Sequence, residues 1–247
     1  MYRHYIVLSS SYKQGMRIAL DFPIKDGART DDVMRGIDSI QKCCGAGTFL
    51  SIHTVITETP EWQSVIKADS FFDDVKFFDD LNDFISTIKE SKTLCGLDIA
   101  RYILGRVECT HLKLEKLVYL CYAEYLCRTG KKLFEDRIFA FKYGPVVSSV
   151  YEYYKTFGAM NIDEEDEKIP SIKNRQMSSK SRILFSEDGL EKIDCIDETL
   201  KYYGDLTAIQ LVDLTHLQDT PWNKTYNGGF YEKISDDCIK KYHKNER

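Results

Sequence analysis

The sequence predicts an α+β fold in two parts: a small mixed α/β part over residues 1–92 and an all-helical part with one short extended segment over 93–247. Three observations predict it. Before residue 90, short β-branched runs alternate with helix-spaced stretches. After residue 92, apolar residues recur at helical spacing almost throughout. Between them, Lys89-Glu90-Ser91-Lys92 is polar and reads as a linker.

In the first part, Tyr5 to Leu8 is a candidate strand, closed by a Ser-Ser-Ser turn, with Arg17 to Phe22 as its partner. Asp31 and Asp32 place acid at the positive end of a helix that carries Val33, Met34, Ile37 and Ile40. Gly45-Ala46-Gly47 breaks the chain, Thr48 to Thr57 reads as a strand, and Val75 to Phe78 as a shorter one. Asp79 or Asp80 then caps a helix with Leu81, Phe84, Ile85 and Ile88 on one face.

In the second part, Leu97, Ala100, Ile103, Leu104 and Val107 form one stripe. The run from Leu117 to Ala123 is apolar on every side, the mark of a helix buried within a bundle, and Gly130 ends it. Phe139, Phe141 and Tyr143 alternate as in an extended segment. Gly144-Pro145 reads as a turn, with Pro145 in the first turn of a helix bearing Val147, Val150, Tyr151 and Tyr154. An acidic run, Asp163 to Glu167, and a basic, Ser-rich stretch, Lys173 to Arg182, read as a solvated loop or, alternatively, a recognition site. Ser186 is the expected cap of a helix carrying Leu190, Ile193, Ile196, Leu200 and Tyr203. Thr207 to Gln210 is a capping box, with Leu206 stapled onto Leu211.

Composition narrows the function. The 247 residues hold 34 Lys+Arg against 39 Asp+Glu, a net charge of −5. The split is 11 against 14 up to residue 92 and 23 against 25 after it, so neither part is a basic nucleic-acid reader. No apolar run approaches the 18 residues of a membrane span, and the N-terminus, with only a short apolar run, does not read as a secretory signal; the expected localisation is cytoplasmic, away from membranes. The eight Cys lack a CxxC pair or a zinc-type spacing and read as reduced thiols, with Cys121 and Cys127 in an apolar helical pattern.

Catalytic signatures are absent: no phosphate loop, no dinucleotide fingerprint, no nucleophile elbow and no HExxH. No catalytic residue, cofactor or metal is expected. His111 fits a capping or surface role, and His216 fits a buried histidine bonded to the following turn. Tyr143, Tyr151, Tyr153 and Tyr154 cluster around the Gly-Pro dipeptide. They are either core or an exposed aromatic anchor for a partner.

Five motifs occur in order. KLEKLVYLCYA at 113–123 resembles the opening helix of the SocA-like antitoxin family, or Panacea domain (phage-associated, GepA-like proteins). TGKKLF at 129–134 resembles the family's Gly-Lys-Pro-Leu-Phe corner, with Lys132 where Pro is usual. FAFKYGPVV at 139–147 resembles its Ala-Trp-x-Tyr-Gly-Pro-Val stretch, with Phe141 in place of Trp, and Val150-Tyr151 follows. LVDLTH at 211–216 with Pro221-Trp222 resembles the closing motif. The resemblance covers about residues 94–226; residues 1–90 lie outside it.

The resemblance implies an all-helical antitoxin module that neutralises a cognate protein toxin of a bacterial or prophage toxin–antitoxin pair by direct binding. One relative is linked to proteolytic delivery, so a protease-adaptor role is also implied. Lys142, Tyr143, Gly144, Pro145, Tyr151, His216 and Trp222 become the candidate partner-binding residues. The alternative is an enzymatic or regulatory first part, with the helical part as scaffold. It predicts a pocket with convergent polar groups in residues 1–90.

Overall fold

The computed structural model describes all residues except Tyr12, Ala46, 163–178, Phe230 and Arg247. The acidic run and most of the basic stretch therefore lie outside the described residues. The chain divides into two compact units, Met1–Lys92 and Thr93–Arg247.

The first unit is built on a four-stranded sheet of order β3-β1-β2-β4. Strands β1 (Tyr2–Ser11) and β2 (Met16–Lys25) form a hairpin, from Tyr2 opposite Lys25 to Ser11 opposite Met16. Strand β3 (Ser51–Thr57) runs antiparallel to β1, and β4 (Lys76–Phe78) runs parallel to β2. Alternation along β1 sends Val7 to one face and Ile6 and Leu8 to the other. Val7, Ile18 and Leu20 pack with Ile40 of α1 (Asp31–Cys44) and Phe84, Ile85 and Ile88 of α3 (Leu81–Lys92). Ile6, Leu8 and Ala19 pack with Val65 of α2 (Trp62–Ala68) and with Phe72 and Val75.

Three expectations change here. Ser9 to Ser11, read as a turn, are the last residues of β1 and pair with Ile18 to Met16. Met34 is 59% exposed, because the buried face of α1 runs through Val33, Gly36 and Ile40. Residues 89–92, read as a linker, are the last turn of α3, where Lys92 Nζ donates to Cys44 O at 2.6 Å and Thr48 Oγ1 at 2.7 Å. Helix α2 was not legible at all. Asp80, by contrast, caps α3 by accepting from the N–H groups of Asn82 and Asp83.

The second unit is centred on α5 (His111–Thr129), which is buried without a break from Leu114 to Ala123. Thr110 caps its start, and Gly130 closes it in the left-handed conformation at φ 75°. Around it lie α4 (Gly96–Leu104), α6 (Ser148–Tyr154), α7 (Gly189–Tyr203), α8 (Ala208–His216), α9 (Pro221–Thr225) and α10 (Asp236–Tyr242). The capping box of Thr207 and Gln210 is present. Ser186 does not cap α7: its hydroxyl donates to Ile183 O at 2.7 Å, and Asp188 occupies the cap. Leu190 is 69% exposed, because the inner face of α7 runs through Ile193, Ile196 and Leu200.

The extended segment is one strand of a three-stranded sheet, β6-β5-β7, comprising Ile138–Phe141 (β5), Gly144–Val147 (β6) and Glu232–Lys233 (β7). Phe141 pairs with Gly144, so the turn is Lys142-Tyr143 rather than Gly144-Pro145. Pro145 sits in β6 opposite Ala140, and the next helix starts at Ser148. β6 is an edge strand, which is where a sheet tolerates proline's missing N–H. None of the eight Cys forms a disulfide; Cys127 is exposed, unlike Cys121, because it lies where α5 emerges from the core.

Candidate functional site

The β5–β6 hairpin is fixed from below by two charged residues of α5. Lys116 is fully buried, and its Nζ donates to Pro145 O at 2.6 Å. Burial pushes its pKa down to about 8. Glu115 Oε2 accepts the Val147 N–H at 2.9 Å, so adjacent residues of one helix hold the same edge strand. Gly144 adopts φ 105°, and a Cβ there would meet Lys116 Cε at 2.7 Å and Thr215 Oγ1 at 2.9 Å. Only glycine gives both this backbone angle and this approach.

From the side, Trp222 Nε1 donates to Phe141 O at 2.7 Å. Its ring is sandwiched between His216 (centroids 3.6 Å apart, planes 9° apart) and Tyr226 (4.8 Å, 16°). His216 does not bond the following turn as expected. Its Nε2 is buried without a hydrogen-bond partner, and Thr220 Oγ1 serves the turn by donating to Thr215 O at 2.7 Å. Burial, and then the nearby Lys116, pull the His216 pKa down, so the neutral ring stacks on the indole. His111 is not a cap either: Thr110 fills that role, and the ring lies 5.5 Å from Tyr151 with Nε2 3.4 Å from Glu115 Oε1.

The other side of the hairpin faces outward. Phe139 and Phe141 are half-buried, while Ile138 and Ala140 point to the core. Tyr231 stands edge-on to both rings, at 5.7 Å from Phe139 and 5.3 Å from Phe141. It is 63% exposed and adopts φ 65°, a left-handed angle that costs a bulky residue energy. Tyr151 lies edge-on to Phe141 at 5.2 Å. Tyr143, at the hairpin tip, is 59% exposed, with Lys142 Nζ 5.4 Å from its ring centre.

The seven residues singled out from sequence thus meet around one hairpin in two environments. Lys142 and Tyr143 form its exposed tip, and Tyr151 joins the outer aromatic face. Gly144, Pro145, His216 and Trp222 belong to its support and present little surface to a partner. Lys116, Glu115 and Tyr231 were missed; the positive φ of Tyr231 leaves no sequence signal, and a charged pair in a helix ordinarily faces water. Tyr153 is 38% exposed and Tyr154 is fully buried, so that aromatic cluster is divided between surface and core.

In the first unit, the polar groups that converge are His4, Asp21 and Thr57. His4 Nδ1 meets Asp21 Oδ2 at 2.5 Å, and His4 Nε2 meets Thr57 Oγ1 at 2.9 Å. The His4 side chain has no exposed surface and that of Asp21 has 2%, so the array is sealed from solvent. It joins β1, β2 and β3 as a buried polar staple. Among the described residues, no helix is long and apolar enough to cross a membrane.

Residues 114–223 match the family model described as "Antitoxin SocA-like, Panacea domain". The match starts within α5 and takes in the hairpin and its Trp222 support. Antitoxin SocA of Caulobacter vibrioides (strain NA1000 / CB15N) is 28% identical over 136 residues, covering 53% of this chain and 70% of that relative. No solved structure matches the chain.

Proposed function

We propose that this chain, whose residues 114–223 form a SocA-like Panacea domain, is an antitoxin that neutralises a cognate protein toxin by direct binding. The contact surface is the outer face of the hairpin: Phe139, Phe141, Tyr143, Tyr151 and Tyr231. The observation that carries this choice is an aromatic surface held on rigid supports. Buried Lys116 and Glu115 and the Trp222 indole fix the hairpin backbone at Pro145, Val147 and Phe141. Exposed aromatics on a pre-ordered backbone lose little entropy on binding and supply most of the energy of typical interfaces. Lys142, beside Tyr143, adds a positive charge for an acidic partner group.

Co-expression with the adjacent gene of the native genome tests the reading. The neighbour alone should arrest growth. Co-expression should restore growth and yield a stoichiometric complex with the toxin intact. A harmless neighbour, or a toxic one that forms no complex, removes the antitoxin reading. Rescue with disappearance of the toxin would replace stoichiometric inhibition by delivery to a protease.

A further inference from the structure

We infer that β3 is a dimerisation strand through which two copies of this chain join their first-unit sheets edge to edge. β3 is the terminal strand of the sheet, and among the described residues it pairs with β1 alone. A strand with an open edge presents a row of N–H and C=O groups that another strand fits, and proteins guard such edges with Lys, Pro, bulges or inward charges. β3 has none of these: its sequence, SIHTVIT, carries no Lys, Arg, Asp, Glu or Pro.

Its side chains also point to a strand partner. Ile52, Thr54 and Ile56 lie opposite Val7, Tyr5 and Arg3 of β1, and so share the sheet face on which α1 and α3 pack. Those helices leave Ile52 54% exposed and Ile56 53% exposed. On the other face, by contrast, Val55 packs against the second cluster, and His53 stacks on Phe71 at 5.4 Å.

The pattern selects a second copy as the partner. A two-fold axis perpendicular to the sheet keeps its faces, so only residues of the same parity pair across it. Centring the axis on Thr54 is the register that pairs all seven residues. It sets Ile52 against the other copy's Ile56, Thr54 against its own copy and Val55 against His53. Both β-branched Ile pairs and the Thr–Thr pair are favourable cross-strand matches, and the uncharged strand meets itself without repulsion. The result is a continuous eight-stranded sheet. Seven edge residues bury less than the roughly 1,200 Å² of a standard stable interface, so the dimer forms in reversible, concentration-dependent equilibrium.

Sedimentation of the full chain over a wide concentration range tests this. The mass should rise towards twice that of one chain as concentration rises. The exposed-site double variant Ile52→Lys/Ile56→Lys should keep the wild-type circular dichroism and stay monomeric. Thr54→Cys, oxidised at high concentration and digested, should yield a 54–54′ cross-linked peptide that the wild type lacks. Three results would each overturn the inference: a wild-type chain monomeric throughout, a dimer that survives the double substitution, or a dimer without the 54–54′ link.

Discussion

The two units solve the same problem of burying backbone with different materials. The first buries apolar residues by strand alternation, in two separate clusters either side of a sheet, with His4 and Asp21 as its inner polar pair. The second has one continuous core, threaded by ionisable groups on α5 and its neighbours. Glu115 and Lys116 hold β6, Tyr119 donates to Glu246 Oε2 at 2.9 Å, and Tyr122 donates to Asp236 Oδ1 at 2.8 Å. Hydrophobic burial is tolerant of detail, whereas a buried polar group must find its partner. The second unit is therefore the more specifically built, and single substitutions should hurt it more. The two Trp residues, Trp62 and Trp222, report on one unit each, so fluorescence in a Trp62→Phe background follows the second unit alone.

The largest loss is expected at Asp98. It accepts the Cys95 N–H at 2.9 Å and Arg182 Nε at 2.6 Å, and Arg182 also donates to Thr93 O at 2.7 Å. The Asp98 and Arg182 side chains are 5% and 8% exposed. Asp98→Ala removes a buried carboxylate that holds both this guanidinium and the Cys95 N–H, at a cost of about 3–5 kcal/mol. Denaturant titration of the Trp222 signal checks it; a loss below about 1 kcal/mol, the worth of a surface pair, would show that the pair is hydrated.

Next comes a contrast between two glycines. Gly144→Ala meets both a φ of 105° and the Lys116 and Thr215 side chains, and should cost about 2–4 kcal/mol. Gly130→Ala has a φ of 75° but open space around it, so about 1–2 kcal/mol of backbone strain is expected. Equal losses at the two sites would mean that the Lys116 side chain simply moves aside.

What was legible in the sequence follows the range of the interaction that decides each feature. Gly130, the Thr207–Gln210 box and the all-round apolar run of α5 are local, and each appears where the pattern places it. Helix α2 has seven residues and strand β7 has two, too few to show a period. Gly144-Pro145 carries a strong turn signal, yet the turn lies two residues earlier, because Pro145 satisfies an edge strand and Gly144 a close approach to Lys116. Arg182 and Asp98 are 84 positions apart, and no periodicity links them. The candidate site was half legible: motif order selects the hairpin, but which residues face solvent depends on Lys116, a charged side chain that the fold turns inward.

A smaller, pH-dependent effect separates the units further. Burial alone would lower the His243 pKa, but the carboxylates of Glu124 and Glu246, 3.1 Å and 2.6 Å from its ring nitrogens, outweigh it and raise it. The folded state thus holds this proton more tightly than the unfolded one. Its stabilisation is fully present below about pH 6.5, the unfolded value, and is lost as pH rises through the raised folded value. His216, whose pKa is lowered, acts with the opposite sign and below 6.5, so the two windows do not overlap. The Trp222-detected stability should fall as pH rises above 6.5, and His243→Asn should flatten that fall whatever it does to absolute stability. A slope unchanged by the substitution would assign it to other groups.

The smallest stability effect is expected where the proposed function is greatest. Tyr143 is 59% exposed at the hairpin tip, and the hairpin's backbone is held by Lys116, Glu115 and Trp222 without it. Tyr143→Ala should therefore change stability by less than about 0.5 kcal/mol, as substitutions at exposed sites do. If the outer face binds the toxin, the same change should weaken the complex by about tenfold or more, the mark of an aromatic hot spot. Tyr231→Gly sharpens the test, because it removes the second exposed ring and relieves a φ of 65°. Glycine accepts that angle freely, so this variant should be as stable as wild type or more so, yet bind toxin less well. Calorimetric titration against the purified toxin measures the binding, and Trp222 fluorescence the stability. Stability and affinity lost together would mean that these rings are structural; affinity unchanged in both variants would move the toxin contact off the hairpin.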